Sequence, residues 1–128
     1  MPMEIKLLVW SVALTIVQVA IAASGTVLTV GLVDGVGNRD NMPVFAGWVG
    51  RAHRAHRNML ESLVLFGLLV LVAQALGKFN AMTLLGAQLF FWGRVAYAVI
   101  YLAGIPWLRT LAWAVSVVGI VLVGLQVM

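Results

Sequence analysis

Four long apolar runs, at about 5–33, 45–76, 81–103 and 106–126, constrain this chain more than any motif does. A bilayer core roughly 30 Å thick needs about 20 apolar residues in helical form. Backbone polar groups in lipid must bond within their own segment, so the runs predict an all-α membrane protein, a four-transmembrane-helix bundle. Composition agrees: 63% of the residues are hydrophobic and 9% charged, against roughly 25% charged in a water-facing domain. A single domain over 1–128 is expected. The formal net charge of +4 would suit nucleic acid. The arginines stand beside apolar runs, however, where the positive-inside rule explains them, and nucleic acid is not an expected partner. With no cysteine, disulfides, thiolate metal sites and a cysteine nucleophile are excluded.

The first run is too long for a signal-peptide core and reads as a retained span. Its patch Ala20, Ala22, Ala23, Ser24 and Gly25 suits close helix approach. Gly31, Gly35, Gly37 and Asn38 then interrupt it, and Asn38 to Pro43 reads as a polar loop. Pro43 is placed just before or in the first turn of the second helix. Gly77 to Asn80 and Gly104 to Trp107 are the remaining turns, with Pro106 opening the last helix. Arg39, Arg51, Arg54, Arg57 and Arg109 fall at one membrane face, Lys6 and Lys78 at the other. The positive-inside rule makes the arginine-rich face cytoplasmic and puts both termini on the opposite side.

The densest polar stretch, Arg51 to Ser62, continues without Pro or Gly into Leu63 and the apolar run beyond it. At about 100° per residue, Arg51, Arg54, Asn58, Glu61 and Ser62 share one arc, with Arg57 at its edge and His53 and His56 on the other side. A snorkelling arginine belt accounts for Arg51 and Arg57. It leaves Asn58 and Glu61 unexplained, and intramembrane ionisable residues default to function. Phe90, Arg94, Tyr97 and Tyr101 form a matching stripe on the third helix. There the alternatives are a ligand site, or an aromatic belt with Arg94 pairing to Glu61 as structural glue. Arg109 and Thr110 stand at the start of the fourth helix, where a helix N-terminus favours an anion. Two histidines and a carboxylate on different faces do not make a metal site.

Arginines hold carboxylates in bidentate fashion, Glu61 suits an ammonium, Asn58 a peptide amide, and Arg109 a thiolate. A short peptide carrying all of these groups is glutathione. The arc residues Arg51, Arg54, Arg57, Asn58 and Glu61 are therefore the ones expected to meet such a peptide, and Arg109, set to hold its thiolate, is the candidate catalytic residue.

Arg54-Ala-His-Arg-Asn58-x-x-Glu61, followed by Phe66, resembles the signature of the MAPEG family, the membrane-associated proteins of eicosanoid and glutathione metabolism. Gly93-Arg-Val-Ala-Tyr97 to Tyr101, then Gly104 and Arg109, is similar to that family's third helix and the start of its fourth. The resemblance covers about 47–113, and the set looks most like bacterial members. It implies a homotrimer in a bacterial inner membrane, with glutathione as co-substrate between subunits near the cytosolic face. Carried over by position, Arg54, Arg57, Asn58, Glu61, Arg94, Tyr97 and Tyr101 would bind glutathione, Arg109 would hold its thiolate, and Thr110 stands where some members have serine.

Three departures stand out: Trp113 where several members have tyrosine, no arginine closing helix one (Arg39 is the nearest), and Tyr97 where the prostaglandin synthase has histidine. The expectation is a transferase or peroxidase acting on a lipophilic electrophile. The alternatives are a non-catalytic trimer binding glutathione or membrane lipid, and a small multidrug exporter.

Overall fold

The computed structural model of the protein describes residues 1–39 and 42–128; Asp40 and Asn41, part of the expected polar loop, lie outside the described residues. Helices α1 (Met3–Val30), α3 (Gly47–Leu76), α4 (Ala81–Ala103) and α5 (Pro106–Val127) are each long and apolar enough to cross a membrane. A short α2 (Leu32–Val36) follows the first of them. The chain is a multi-pass membrane protein. Helix α1 packs on α3 and α4, and α5 packs on α4 and α3, while α1 and α5 do not approach at backbone distance among the described residues.

Each helix end is set by local chemistry. Gly77 (φ 64°) and Gly104 (φ 82°) take the left-handed conformation that closes α3 and α4. At the start of α4 the Asn80 side chain accepts from the amides of Met82 and Thr83 at 2.8 and 3.0 Å, and Thr83 Oγ1 accepts from the Asn80 amide at 2.8 Å. That reciprocal cap satisfies amides that lipid could not. Inside α1, the hydroxyls of Ser11, Thr15 and Thr26 donate to carbonyls one turn back, at 2.7, 2.8 and 3.1 Å. Polar side chains can thus sit in the span without an orphaned donor.

The first span differs from the unbroken helix the sequence suggests over 5–33. Gly31 adopts φ 88°, which stops α1 at Val30 and re-aims the next turn as α2. Arg39 Nε then donates to the Gly35 carbonyl at 2.8 Å. Helix α3 begins at Gly47, two residues later than the apolar run implies, because Ala46 is extended and Gly47 has φ 62°. Pro43 accordingly lies outside the helix. Of the small patch on α1, Ala22 and Gly25 are buried, with Gly25 against Trp48 and Val49, whereas Ala20 and Ser24 are exposed.

The central core is Phe66 stacked on Phe90 (centroids 4.1 Å apart, planes at 13°), surrounded by Met59, Val70, Ala87 and Val123. The closest helix pair is α4 and α5. A methyl at Gly86 would lie 2.7 Å from the Gly119 carbonyl oxygen, and one at Gly93 would lie 3.1 Å from the Ser116 nitrogen. Without a hydrophobic drive between helices in lipid, such backbone proximity is what packing energy requires. Gly119→Ala, whose methyl would collide with the Gly86 carbonyl oxygen, should therefore cost about 1–3 kcal/mol by overpacking. Gly124→Ala meets only ordinary contact at 3.4 Å and should be neutral or slightly stabilising, since Ala is the better helix former. Thermal unfolding of the two variants in detergent checks the difference.

Candidate functional site

The first turns of α3, the last turns of α4 and the start of α5 converge on one trough. A cavity of about 230 Å³ is lined by Arg54, Arg57, Asn58, Glu61, Tyr97 and Tyr101. A second, of about 290 Å³, is lined by Asn58, Tyr97, Tyr101, Arg109, Thr110 and Trp113. They share Asn58, Tyr97 and Tyr101, so the two are compartments of a single polar trough. Helical spacing explains the assembly. Arg54, Asn58 and Glu61 recur at intervals of four and three on α3, and Tyr97 and Tyr101 at four on α4.

Tyr101 is the hinge of the trough's chemistry. Its hydroxyl accepts from Arg54 Nε at 3.0 Å, and the Arg109 guanidinium carbon stands 4.7 Å from its ring centroid. Two cations from different helices thus meet on one buried phenol. The Tyr97 ring lies 5.3 Å from that of Tyr101 at 72°, an edge-on contact that fixes both. The exposed Glu61 carboxylate lines the same compartment as Arg54 and Arg57. The trough therefore offers guanidinium groups to anions and one carboxylate to a cation.

Arg94 is 1% exposed, with its guanidinium carbon 4.1 Å from the Tyr97 ring centroid. All three of its guanidinium nitrogens lack a hydrogen-bond partner among the described residues, as does Asn58 Oδ1. The Arg94–Glu61 pair considered as structural glue is therefore not formed within this chain. A buried guanidinium with five N–H groups free is costly unless an acceptor reaches it.

Of the residues expected at the site, Arg54, Arg57, Asn58, Glu61, Tyr97, Tyr101, Arg109 and Thr110 line the trough. Arg94 backs it from beneath Tyr97. Arg51 does not reach it; its Nε donates to the Leu102 carbonyl at 3.0 Å and closes the C-terminal end of α4. Two residues outside the expected binding set also stand at this face. Trp113, one helical turn beyond Arg109, lines the second compartment. His53, set apart from the arginine arc by angle alone, lines a neighbouring cavity of about 490 Å³ with Arg39, Arg54 and Arg57. Its ring stacks on Phe45 at 4.8 Å, and its Nε2 is 2.7 Å from Thr26 Oγ1. The 50, 53, 54, 57 spacing on α3 carried that signal, but Arg39 and Phe45, from outside that helix, complete the wall. The α5 terminus contributes less than its position suggests. Pro106 has no N–H, the Arg109 amide is bonded to the Ile105 carbonyl at 3.2 Å, and neither Trp107 nor Leu108 lines the trough.

The MAPEG family model matches residues 7–128, nearly the whole chain. The chain belongs to the MAPEG family. No curated protein and no solved structure matches it. Membership places this MAPEG chain among membrane proteins of glutathione and eicosanoid metabolism. Among the described residues no cluster of His, Asp and Glu could hold a metal ion.

The orphaned guanidinium makes its own prediction. In ligand-free protein, Arg94→Met should leave thermal stability unchanged or raise it, because an uncompensated buried charge is replaced by an apolar chain of similar length. Loss of about 3–5 kcal/mol, the typical cost of breaking a buried pair, would instead show that Arg94 has a protein partner in the assembled molecule.

Proposed function

We propose that this MAPEG chain is a glutathione-dependent transferase or peroxidase acting on lipophilic electrophiles, working as a homotrimer in a bacterial inner membrane with the arginine-rich face in the cytoplasm. The observation that carries the reading is the convergence of Arg54 and Arg109 on Tyr101, in a trough that also holds Asn58, Glu61 and the unsatisfied donors of Arg94. Glutathione offers two carboxylates, an ammonium, two amides and a thiol, and each has a counterpart here. Arg54 and Arg57 hold carboxylate by charge-assisted bonds, Glu61 takes the ammonium, and Asn58 pairs with a peptide group. The buried Arg94 donors, otherwise uncompensated, supply a further anion contact from below the Tyr97 ring. Nothing in this donor set conflicts with the tripeptide.

The nucleophile in this reading is the glutathione sulfur, so the chain's catalytic contribution is positioning and electrostatics. Arg109 and the Tyr101 hydroxyl, whose oxygen already accepts from Arg54, hold the sulfur as thiolate. Thr110 stands beside them in the same compartment. Trp113 gives that compartment an apolar wall where the electrophile meets the sulfur. Among the described residues α1 and α5 do not approach at backbone distance; both keep a face for a neighbouring subunit, and the lipophilic substrate enters from lipid between them.

Arg109→Ala should keep glutathione affinity within a few fold, because Arg109 meets the sulfur only once it is ionised. The pKa of the bound thiol should rise toward its free value of about 8.5. Turnover near neutral pH should then fall, and recover in part as pH rises and thiolate forms unaided. Thiolate absorbance against pH checks this; an unchanged titration with a normal rate would remove Arg109 from the mechanism. Arg54→Ala should weaken glutathione binding tenfold or more in titration calorimetry, since a charge-assisted bond contributes roughly 1.5–3 kcal/mol. Glutathione binding without detectable thiolate in the wild-type protein would instead favour a non-catalytic binder.

A further inference from the structure

On the other side of α3 and α4 from the trough lies a separate apolar cavity of about 160 Å³, bounded by α1, α3 and α4. Its walls include Leu14 and Val17 from α1 and Val99 from α4, and its floor is Ala52 and Ala55 from α3. Those two alanines belong to the Arg51-Ala-His-Arg-Ala-His56 echo, whose arginines the trough only partly uses. Three residues apart on one helical face, and 4% and 3% exposed, they leave room that any larger side chain would fill. The single polar side chain in the lining is Gln18, 6% exposed, and its Oε1 has no hydrogen-bond partner among the described residues. A carboxamide half-way along a membrane helix is costly to bury, and an unpaired acceptor there costs roughly 1–3 kcal/mol. Val17 and Val99, which line it, are 54% and 66% exposed, so the cavity opens sideways between the apolar faces of α1 and α4.

We infer that this cavity binds a single-chain amphiphile from the bilayer, an apolar tail carrying one hydroxyl that donates to Gln18 Oε1. The size fits: an apolar void of about 150 Å³ stays dry and takes a six-carbon ring, so the cavity holds a short alkyl segment and the remainder of the chain runs out past Val17 and Val99. Water fits poorly, because an internal water needs two to four polar partners and Gln18 is the one polar side chain present. Ala55 also packs with Tyr97 and Tyr101. The occupant therefore rests on the back wall of the trough, although its binding does not depend on what the trough holds.

The probe is a diazirine-bearing octanol, photolysed with the full-length protein in detergent and mapped by mass spectrometry. Adducts should concentrate on 14–21 and 98–102, and unlabelled octanol should compete them away. Gln18→Leu, which keeps the volume and removes the acceptor, should cut labelling there at least fivefold. Ala98→Leu, which fills the cavity from α4, should do the same, and it decides the matter should the Gln18 variant fail to fold. The corresponding diazirine-bearing octane, with no hydroxyl, should label these segments no better than the alcohol labels the Gln18 variant. The inference is overturned by adducts spread evenly over lipid-facing positions such as Val64 and Leu125, by labelling indifferent to both substitutions, by equal labelling with the hydrocarbon, or by a cavity that takes no label at all because a neighbouring chain occupies it.

Discussion

The backbone-to-backbone approach of α4 and α5 at Gly86 and Gly119 governs the rest of the arrangement. Helix association in lipid rests on close packing and hydrogen bonds, since tails compete equally well for apolar side chains. Two glycines facing one another let the helices meet at backbone distance. Gly93 against Ser116 extends that contact toward the arginine-rich end. Once α5 is held that tightly against α4, the direction of its first turn is determined, and the Arg109 guanidinium comes to rest over the Tyr101 ring.

The trough inherits its electrostatics from the same packing. Tyr97 and Tyr101 are buried phenols that each meet a cation: Arg94 beneath the first, Arg54 and Arg109 around the second. An aromatic ring between guanidinium groups lets like charges gather in a small volume at lower cost than direct contact would allow. Asn58 Oδ1 and the Arg94 nitrogens have no partners among the described residues, and groups left unsatisfied in a low-dielectric interior are the places where a ligand gains most. Tight packing at the α4–α5 seam and unsatisfied polar groups a few turns away are thus complementary. The first keeps the second from relaxing.

Helix α3 serves two sides of the bundle from one repeated tripeptide. Arg54 faces the trough, Arg51 closes the end of α4, and Ala52 and Ala55 line the apolar cavity behind. His53 turns to Phe45 and Thr26, tying the loop and α1 to the same helix. A periodicity of three in sequence becomes, at 3.6 residues per turn, a slow rotation around the helix. Side chains of one type then follow one another on neighbouring rather than identical faces, which is why the echo has no single role.

Hydropathy and spacing alone determined the four spans, the polar arc on α3 and the tyrosine stripe on α4, because lipid forbids unsatisfied backbone and helical periodicity is regular. Gly77, Gly104 and Pro106 marked their turns for the same reason: the backbone conformations they favour are local. What the chain could not disclose by itself was which of two neighbouring arginines turns inward. Arg51 and Arg54 share an arc, yet one meets a carbonyl on α4 and the other a phenol, since a long flexible side chain goes to whichever acceptor the next helix presents. Likewise the break at Gly31, the late start of α3 and the place of His53 beside Arg39 depend on backbone turns at Gly31 and Gly47 and on contacts between segments, which no periodicity encodes. Tertiary structure alone decided that Arg94 has no hydrogen-bond partner among the described residues and that Gln18 lines a cavity, because both depend on the distances between helices rather than on the residues along any one of them.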